Sequence, residues 1–413
     1  MTHRRTAALT FGLATLWLAL GWLNVSRGAA HAGAGYRAWA YEHHCYSDVI
    51  ALHGDHYLSA RRPLPYLEDR IEYPVLLGLA LWLPTFGPGG PARALVHFTL
   101  TYLGLALCLL AALALLFRTP GAAPWWLGAT PAVVYYAGLN WDLLPVALLA
   151  AGVLSLSTDR PAATGALAGL GASAKLFPAT LVPPAAALLA ARPPRRRALR
   201  LAAALAAVIL AVNLPLALAR WDTWSWFFRF NAARGAENSL WDALGLKAGP
   251  LLDVLSAAPV AAAALLGAVA TFRAARAGEE ASPQSPFASR SGAGEGGARA
   301  ARLATALSLV VWIATNKVWS PQYALYGFLA GAIAAAPPAL FLVLSAVSVL
   351  DFHLAFEVRA RSWEPAFRDG VWHPMNVVRA LLWLVLAAWI GRELWRAARG
   401  QSPRPPASPT ARQ

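Results

Sequence analysis

Residues 95–117, LVHFTLTYLGLALCLLAALALLF, decide the fold class because they contain no Asp, Glu, Lys or Arg. A helix needs roughly 20 such residues to cross the hydrocarbon core of a bilayer. Similar apolar runs recur along the 413-residue chain, which is 58% hydrophobic and 13% charged with a mean hydropathy of +0.48. This apolar content exceeds what a soluble domain buries, and the runs lack the period-2 alternation of a barrel. We therefore predict an all-α, polytopic transmembrane helical bundle.

The arginines between the apolar runs predict the topology. They gather in short segments, which the positive-inside rule assigns to the cytoplasmic side. About 12 spans, within a range of about 10 to 13, satisfy this rule. Both termini are then cytoplasmic. Residues 7–27 are interpreted as an uncleaved first helix, because no clear cleavage site follows them. The predicted spans are 7–27, 95–117, 124–139, 142–158, 162–175, 176–191, 199–219, 250–272, 302–316, 322–336, 338–351 and 375–391.

We expect a single transmembrane domain over residues 1–400 with a long first extracytoplasmic loop, 28–94. The apolar run at 74–84 is too short to cross, which favours an interfacial helix; if it does cross, the local topology changes. Residues 277–300, rich in Ser, Gly and Pro, are typical of a flexible cytoplasmic linker, and 401–413 of a disordered cytoplasmic tail.

The net charge of +15 does not indicate a nucleic-acid partner. A nucleic-acid surface needs basic residues along one face or groove, whereas these arginines lie in short segments between spans. The expected surroundings are therefore membrane lipid, with no nucleic acid.

Two lysines stand out because only three of the 35 basic Lys and Arg residues are lysines. Lys175 and Lys317 lie at the ends of apolar stretches, where an ammonium faces a cavity or an anionic ligand, or reaches the lipid headgroups. The more specific hypothesis is that both bind a phosphate, to which an ammonium offers a mobile point charge.

Carboxylates in the first outer loop are candidates for acid–base chemistry. Asp48, at the start of a short predicted helix, is placed to take a proton from an acceptor hydroxyl, or to act as a solvated helix cap. Glu72, followed by Tyr73 and a proline, is placed to orient a substrate or to form a surface ion pair with Arg70.

Further polar residues accompany the two lysines. Asn140 and Asp142 begin an apolar span, where Asp142 either caps the helix or belongs to a substrate site. Near Lys317, Gln322 and Tyr323 add hydrogen-bonding groups. Trp319 is placed to stack on a sugar, or to belong to the interfacial aromatic belt.

A metal site is not predicted. His53, Asp55 and His56 form a conceivable ligand set, but the H-x-x-H spacing lacks the further ligands that a site requires. Nucleotide-binding signatures are not evident either, so no cofactor is expected and the chemical energy is predicted to come from a lipid-linked substrate or an ion gradient.

Five motifs together resemble the GT-C membrane glycosyltransferases, specifically the polyprenyl-phosphate-mannose-dependent mannosyltransferases of glycosyltransferase family 87. They are CYSDV (45–49), IEYPVL (71–76), NWDLLPVAL (140–148), AKLFPATLVPP (174–184) and NKVWSPQY (316–323). The resemblance fades after about residue 330, so the polar segment 352–374 receives no role from it.

The resemblance implies a catalytic acid in the first external loop, which on this chain is Asp48. It implies an inverting hexosyltransferase, with mannose as the expected sugar, a polyprenyl-phosphate donor and a glycan, glycolipid or protein acceptor of the cell envelope. Lys175 and Lys317 would stabilise the phosphate that leaves, and no soluble nucleotide sugar is needed.

The alternative from another class is a polytopic transporter or lipid flippase. Such proteins commonly contain inverted repeats and broken helices at the midplane, whereas this chain has no convincing internal repeat and its polar residues cluster at one face. A catalytically inactive scaffold for envelope enzymes is a third reading.

Overall fold

The computed structural model describes residues 3–57, 62–88, 90, 92–280 and 291–401 as an all-α fold, and no strand occurs within these ranges. The α-helices are α1 (His3–Ser26), α2 (Tyr36–Glu42), α3 (Asp48–Leu52), α4 (Val75–Trp82), α5 (Arg93–Phe117), α6 (Trp125–Gly128), α7 (Ala132–Tyr136), α8 (Leu143–Ser157), α9 (Pro161–Ala174), α10 (Val182–Ala191), α11 (Arg196–Ala219), α12 (Trp221–Trp224), α13 (Trp226–Ala233), α14 (Leu240–Ala243), α15 (Pro250–Glu280), α16 (Ser291–Thr315), α17 (Ala324–Ala334), α18 (Pro338–Ala360), α19 (Pro365–Phe367) and α20 (His373–Ala398).

Seven helices in the described ranges are long and apolar enough to cross a membrane. They are His3–His31, Arg93–Phe117, Arg196–Ala219, Pro250–Gly278, Glu295–Thr315, Pro338–Ala360 and Pro365–Ala398. The prediction of a helical, multi-pass membrane protein is therefore confirmed, whereas the count of about 12 spans stays a prediction. Shorter apolar helices occupy Val75–Phe86, Leu143–Ser157 and Phe177–Ala191.

The predicted span 124–139 is divided between two short helices, α6 and α7. The break contains Pro131, which has no backbone N–H to continue a helix. Thr130 lies beside it, and its hydroxyl accepts a hydrogen bond from the backbone N–H of Ala132 over 3.3 Å. An apolar run of sufficient length therefore does not form one continuous span here.

A second break lies between α9 and α10. Lys175 is extended, with φ −161° and ψ 147°, and a short 3₁₀ helix follows at Phe177–Leu181. Pro178 lacks the N–H that a continuous helix would bring to the carbonyl of Ala174. As a result Lys175 lies just after the end of α9, at the wall of a cavity.

Close packing of α9 against α11 depends on two glycines spaced four residues apart. A Cβ built on Gly165 would lie 2.1 Å from the carbonyl oxygen of Leu201, and one on Gly169 would lie 3.1 Å from that of Leu205. Small residues at this spacing allow helix backbones to approach closely within lipid. This contact fixes α9, and hence Lys175, against the outer helix.

The surface of α11 is apolar, and most of it is not covered by other helices. Leu199 is 69% exposed and Leu218 78% exposed, and only 6% of the most apolar window of this helix is buried. A face of this composition is stable against hydrocarbon rather than water. We infer that α11 contacts lipid.

Some boundaries differ from the sequence predictions. Helix α15 continues to Glu280 and α16 begins at Ser291, so helix occupies both ends of the predicted linker, 277–300; residues 281–290 lie outside the described part of the chain. The predicted tail, 401–413, lies outside it except for Gln401. Helix α18 runs to Ala360, nine residues beyond the predicted end of its span. Helix α4, over most of 74–84, is eight residues long.

Candidate active site

A cavity of about 470 Å³ lies where α3, α9, α13 and α16 end or begin. Eight of the ten predicted site residues line it: Asp48, Glu72, Tyr73, Asn140, Lys175, Lys317, Gln322 and Tyr323. Asp142 and Trp319 do not line it. The chain thus brings together residues separated by as many as 275 positions, although their roles remain predictions.

The carboxylate of Asp48 is held by three donors. The hydroxyl of Tyr46 donates to Oδ1 over 2.8 Å, Nδ2 of Asn140 donates to Oδ2 over 2.7 Å, and the hydroxyl of Tyr73 lies 3.5 Å from the same Oδ2. A carboxylate has about four acceptor positions. Asp48 can therefore accept one further hydrogen bond, from a donor in the cavity.

The side-chain orientation of Asn140 is fixed by its own backbone surroundings. Its Oδ1 accepts a hydrogen bond from the N–H of Trp141 over 2.6 Å, which leaves the amide NH₂ directed at Asp48. That NH₂ also reaches the hydroxyl oxygen of Tyr73 over 2.9 Å. The turn before α8 therefore holds the Asn140 amide where it contacts both the Asp48 carboxylate and the Tyr73 hydroxyl.

Backbone contacts hold the start of α3 against the same turn. Ser47 caps α3, since its hydroxyl oxygen accepts from the N–H of Val49 over 3.1 Å and its hydroxyl donates to the carbonyl of Gly138 over 2.5 Å. The N–H of Asp48 donates to the carbonyl of Leu139 over 2.8 Å. The acid is thereby attached at two points to residues 138–140.

Burial raises the pKa of Asp48 above its ordinary value, because desolvation disfavours the ionised carboxylate. Hydrogen bonds from Tyr46 and Asn140 lower the pKa, as do the charges of Arg37 and Lys175, but their combined effect is smaller. A carboxylate with a raised pKa is a stronger proton acceptor, which suits general-base chemistry.

Glu72 is a second carboxylate on the cavity wall. Burial raises its pKa, and so does the negative charge of Asp48, whereas Arg234 lowers it. Within the ranges that the structure describes, its carboxylate forms no hydrogen bond or ion pair. Glu72 does not form the ion pair with Arg70 that the sequence left open, and its oxygens are available to a ligand.

Lys175 forms a buried ion pair with Asp142. Its Nζ lies 2.6 Å from Oδ1, and the two side chains are 12% and 0% exposed. The ammonium also lies 5.1 Å from the ring centre of Tyr323, a cation–π contact. Asp142 thus stands behind the cavity wall, where it holds Lys175; this differs from the direct substrate contact predicted for it.

Lys317 is held in an extended segment between α16 and α17. Glu237 donates its N–H to the carbonyl of Lys317 over 2.9 Å and accepts from the N–H of Trp319 over 2.9 Å. The Nζ of Lys317 lies 2.8 Å from Oδ1 of Asp253, whose side chain is 59% exposed. Lys317 lines the cavity, and its ammonium contacts the exposed carboxylate of Asp253 and the carbonyl of Ala232, the latter over 3.4 Å.

The prediction that Trp319 stacks on a sugar does not fit its position. Its indole is buried, donates to Oδ2 of Asp351 over 3.1 Å and packs against the guanidinium of Arg379 at 4.2 Å from the ring centre. Asp351 and Arg379 also form an ion pair. Trp319 therefore joins α18 and α20 to the segment that carries Lys317.

Three arginines of the cavity are not among the predicted site residues: Arg37, Arg234 and Arg359. In the described part of the chain, five cationic side chains and three carboxylates line the cavity, the third carboxylate being Glu237. The excess of positive charge favours an anionic ligand. Arg234 lies in residues 219–242, ARWDTWSWFFRFNAARGAENSLWD, and the density of Trp, Phe and Arg in this segment is the sequence signal for it.

The histidines of the first loop do not converge on a metal position. His56 Nδ1 lies 2.5 Å from Oδ2 of Asp69, whereas the ring of His53 packs against His97 at 4.5 Å between ring centres. No group of three or more His, Cys, Asp and Glu residues is arranged for a metal ion among the residues described.

An apolar groove of about 300 Å³ adjoins the cavity. Both are lined by Tyr73, Pro74, Leu176, Phe227 and Phe228. The groove continues along Ile209 of α11, which is 37% exposed on the lipid-facing helix. A ligand with a charged head and a long apolar tail therefore fits the combined shape.

A model of glycosyltransferase family 87 matches residues 72–290, more than half of the chain. The chain belongs to glycosyltransferase family 87. No curated protein and no solved structure matches it. The match includes Glu72, Asn140 and Lys175 but ends before Lys317 and begins after Asp48.

The glycosyltransferase identity agrees with a site of this composition. The family implies a sugar donor and an acceptor, and the cavity holds carboxylates and cations side by side. The membership also favours a transferase over the transporter alternative.

Proposed function

We propose that this family 87 glycosyltransferase is an inverting hexosyltransferase of the cell membrane that uses a polyprenyl-phosphate sugar as donor, with mannose as the expected sugar. The acceptor is a hydroxyl of an extracytoplasmic glycan, glycolipid or protein. The observation that carries the proposal is a carboxylate and several cations in one cavity that adjoins an apolar groove beside lipid-facing α11.

Asp48 is proposed as the general base. The acceptor oxygen attacks the anomeric carbon as its proton passes to Asp48, and the bond between that carbon and the phosphate oxygen breaks. The electron pair of this bond leaves with the polyprenyl phosphate. Attack from the face opposite the leaving group inverts the anomeric centre, as in other inverting sugar chemistry.

Lys175 and Lys317 are proposed to bind the donor phosphate. Preorganised cations in a site of low dielectric stabilise the charge that grows on a leaving phosphate. Each ammonium has an aspartate beside it, Asp142 or Asp253, so the lysine positions are set before the donor arrives. Glu72 is proposed to orient the sugar through its free oxygens.

The groove is proposed to hold the first isoprenoid units of the donor. Its wall is aromatic and aliphatic, and it reaches the lipid face through Ile209. The arginine distribution of the sequence supports an extracytoplasmic site with both termini in the cytoplasm.

The test uses the purified protein in nanodiscs with polyprenyl-phosphate mannose, polyprenyl-phosphate glucose and a panel of acceptors. We expect transfer of mannose, with the product in the inverted anomeric configuration by NMR. Counterflow of an intact substrate across vesicles without covalent change would instead support the transporter.

A pair of substitutions on α11 tests the groove. Ile209→Trp fills it and is expected to raise the KM for a long-chain donor more than for a short-chain analogue. Leu210→Trp is the matched control, because Leu210 is 55% exposed and does not line the groove. Equal effects of the two substitutions would contradict this path for the tail.

A further inference from the structure

A second cavity of about 470 Å³ lies far from the candidate active site and is strongly basic. It is enclosed by the turn at Gly121, the first half of α16, the end of α17 and the last turns of α20. Its charged lining in the described part of the chain consists of four arginines and one glutamate: Arg299, Arg302, Arg392, Arg396 and Glu393.

Glu393 forms ion pairs with three of these arginines. Its carboxylate lies 3.1 Å from Arg299, 2.8 Å from Arg396 and 3.7 Å from Arg392. One carboxylate among three guanidiniums leaves the group positively charged. This cluster alone would attract an anion.

Arg302 is the decisive residue, because its side chain is buried without compensation. It is 9% exposed, its Nε has no hydrogen-bond partner, and no described residue forms an ion pair with it. Glu295 attracts it electrostatically, but Arg299 repels it. A buried guanidinium is ordinarily paired, because desolvation of an uncompensated charge is costly.

The end of α17 offers an alternative partner for Arg302, because helix C-termini carry partial negative charge. However, none of the carbonyls described in this part of the chain accepts a hydrogen bond from Arg302. Among the described residues Arg302 has no partner, and an anion from outside the chain would supply one.

The two cavities lie at different levels of α16, the basic one near its middle and the candidate active site at its C-terminal end. Arg302 and Leu303 line the basic cavity, whereas Trp312 and Asn316 line the candidate active site. Fourteen residues separate Arg302 from Asn316, which corresponds to about 21 Å along a helix. The basic cavity thus faces the membrane leaflet opposite to the donor site.

We infer that this cavity binds the headgroup phosphate of an anionic phospholipid from that leaflet. Phosphate matches the guanidinium geometry, and basic pockets between transmembrane helices suit such headgroups. The partly buried ring of Trp389 on its wall has the amphipathic character of residues at the lipid interface. Bound lipid would compensate Arg302 and join α16 to α20.

The test compares Arg302→Gln with the wild type in nanodiscs of phosphatidylcholine alone and of phosphatidylcholine with phosphatidylglycerol. Native mass spectrometry should find about tenfold less retained phosphatidylglycerol on the variant, the loss expected for one charge-assisted contact. In nanodiscs that contain phosphatidylglycerol, the wild type should unfold at a higher temperature than Arg302→Gln. In neutral lipid the variant should be at least as stable, because the uncompensated charge is gone.

Arg399→Gln is the control, since Arg399 is exposed at the same end of α20 and does not line the cavity. Equal retention of phosphatidylglycerol by the wild type and both variants would overturn the proposal. If Arg302→Gln does not fold, Arg392→Gln gives the same comparison, because Arg392 is 58% exposed. Stabilisation in neutral lipid by inorganic phosphate, matching that by phosphatidylglycerol, would overturn the lipid assignment in favour of a soluble anion.

Discussion

The Nδ2 atom of Asn140 lies 2.7 Å from Oδ2 of Asp48 and donates a hydrogen bond to it. Because Oδ1 of Asn140 is occupied by the N–H of Trp141, this donor has one orientation. The hydrogen bond stabilises the ionised form of Asp48, and thereby keeps its raised pKa from rising further.

Substitution Asn140→Ala should therefore move the acidic limb of the pH–rate profile to higher pH. Asp48 acts as a base only when ionised, so kcat/KM falls as the pH falls through its pKa. That pKa is raised by burial, and loss of the Asn140 hydrogen bond raises it more. A pH–rate profile of each protein measures the shift.

Tyr46→Phe and Tyr73→Phe provide a comparison, because they remove a near and a more distant hydroxyl from Asp48. Tyr46 donates to Asp48 over 2.8 Å, whereas Tyr73 lies at 3.5 Å. We expect a larger upward shift for Tyr46→Phe than for Tyr73→Phe. An Asn140→Ala profile that coincides with the wild type would show that a group other than Asp48 sets the acidic limb.

The buried pair of Lys175 and Asp142 is predicted to be structural as well as functional. Asp142→Asn should destabilise the fold by about 3–5 kcal/mol, because it leaves the Lys175 ammonium buried without its carboxylate. The midpoint of chemical unfolding in detergent measures this loss.

The double variant Lys175→Met/Asp142→Leu separates the two roles. Replacement of a buried pair by apolar residues restores much of the stability. Sugar transfer should nevertheless stay low, because the cation proposed for the phosphate is gone. Transfer at the wild-type rate by a stable double variant would remove Lys175 from donor binding.

Lys317→Ala should raise the KM for the donor, with little change in the unfolding midpoint. Its partner Asp253 is 59% exposed, and exposed ion pairs contribute about 0–1 kcal/mol to stability. Asp253→Asn is the matched change, because it removes the ion pair but retains the ammonium. Equal effects of both substitutions on the donor KM would assign the effect to the ion pair.

Gly165→Ala should destabilise the bundle by about 1–3 kcal/mol, because the new Cβ meets the Leu201 carbonyl in a closely packed interface. Gly104→Ala in α5 is the control, since a Cβ there has no atom within 4 Å. Equal unfolding midpoints for both variants would contradict the close approach of α9 and α11.

The sequence predicted the membrane class because apolar content and run length depend on composition alone. It predicted less about continuity: the turn near Pro178 was expected between the spans 162–175 and 176–191, but the break at Pro131 divides the predicted span 124–139. Hydropathy measures whether a segment is stable in lipid, whereas a proline determines whether one helix continues through it.

The candidate site was predicted in part for a similar reason. Lysines at the ends of apolar runs are costly in lipid, so Lys175 and Lys317 were visible as exceptions, whereas the role of Asp48 was implied by the family resemblance. Trp319 was misplaced because its partners, Asp351 and Arg379, are distant in the sequence. Arg37 was missed because most arginines of this chain follow the topology pattern.

The rate of a single turnover tests the central claim, that Asp48 is the base, most directly. Saturating polyprenyl-phosphate mannose and acceptor are mixed with the wild type and with Asp48→Asn in the same nanodiscs. Asp369→Asn is the control, because this acid is 54% exposed and does not line the cavity. We predict a rate constant lower by roughly 10²- to 10⁴-fold for Asp48→Asn, with donor binding and the unfolding midpoint retained. A rate constant equal to that of the wild type would contradict the account.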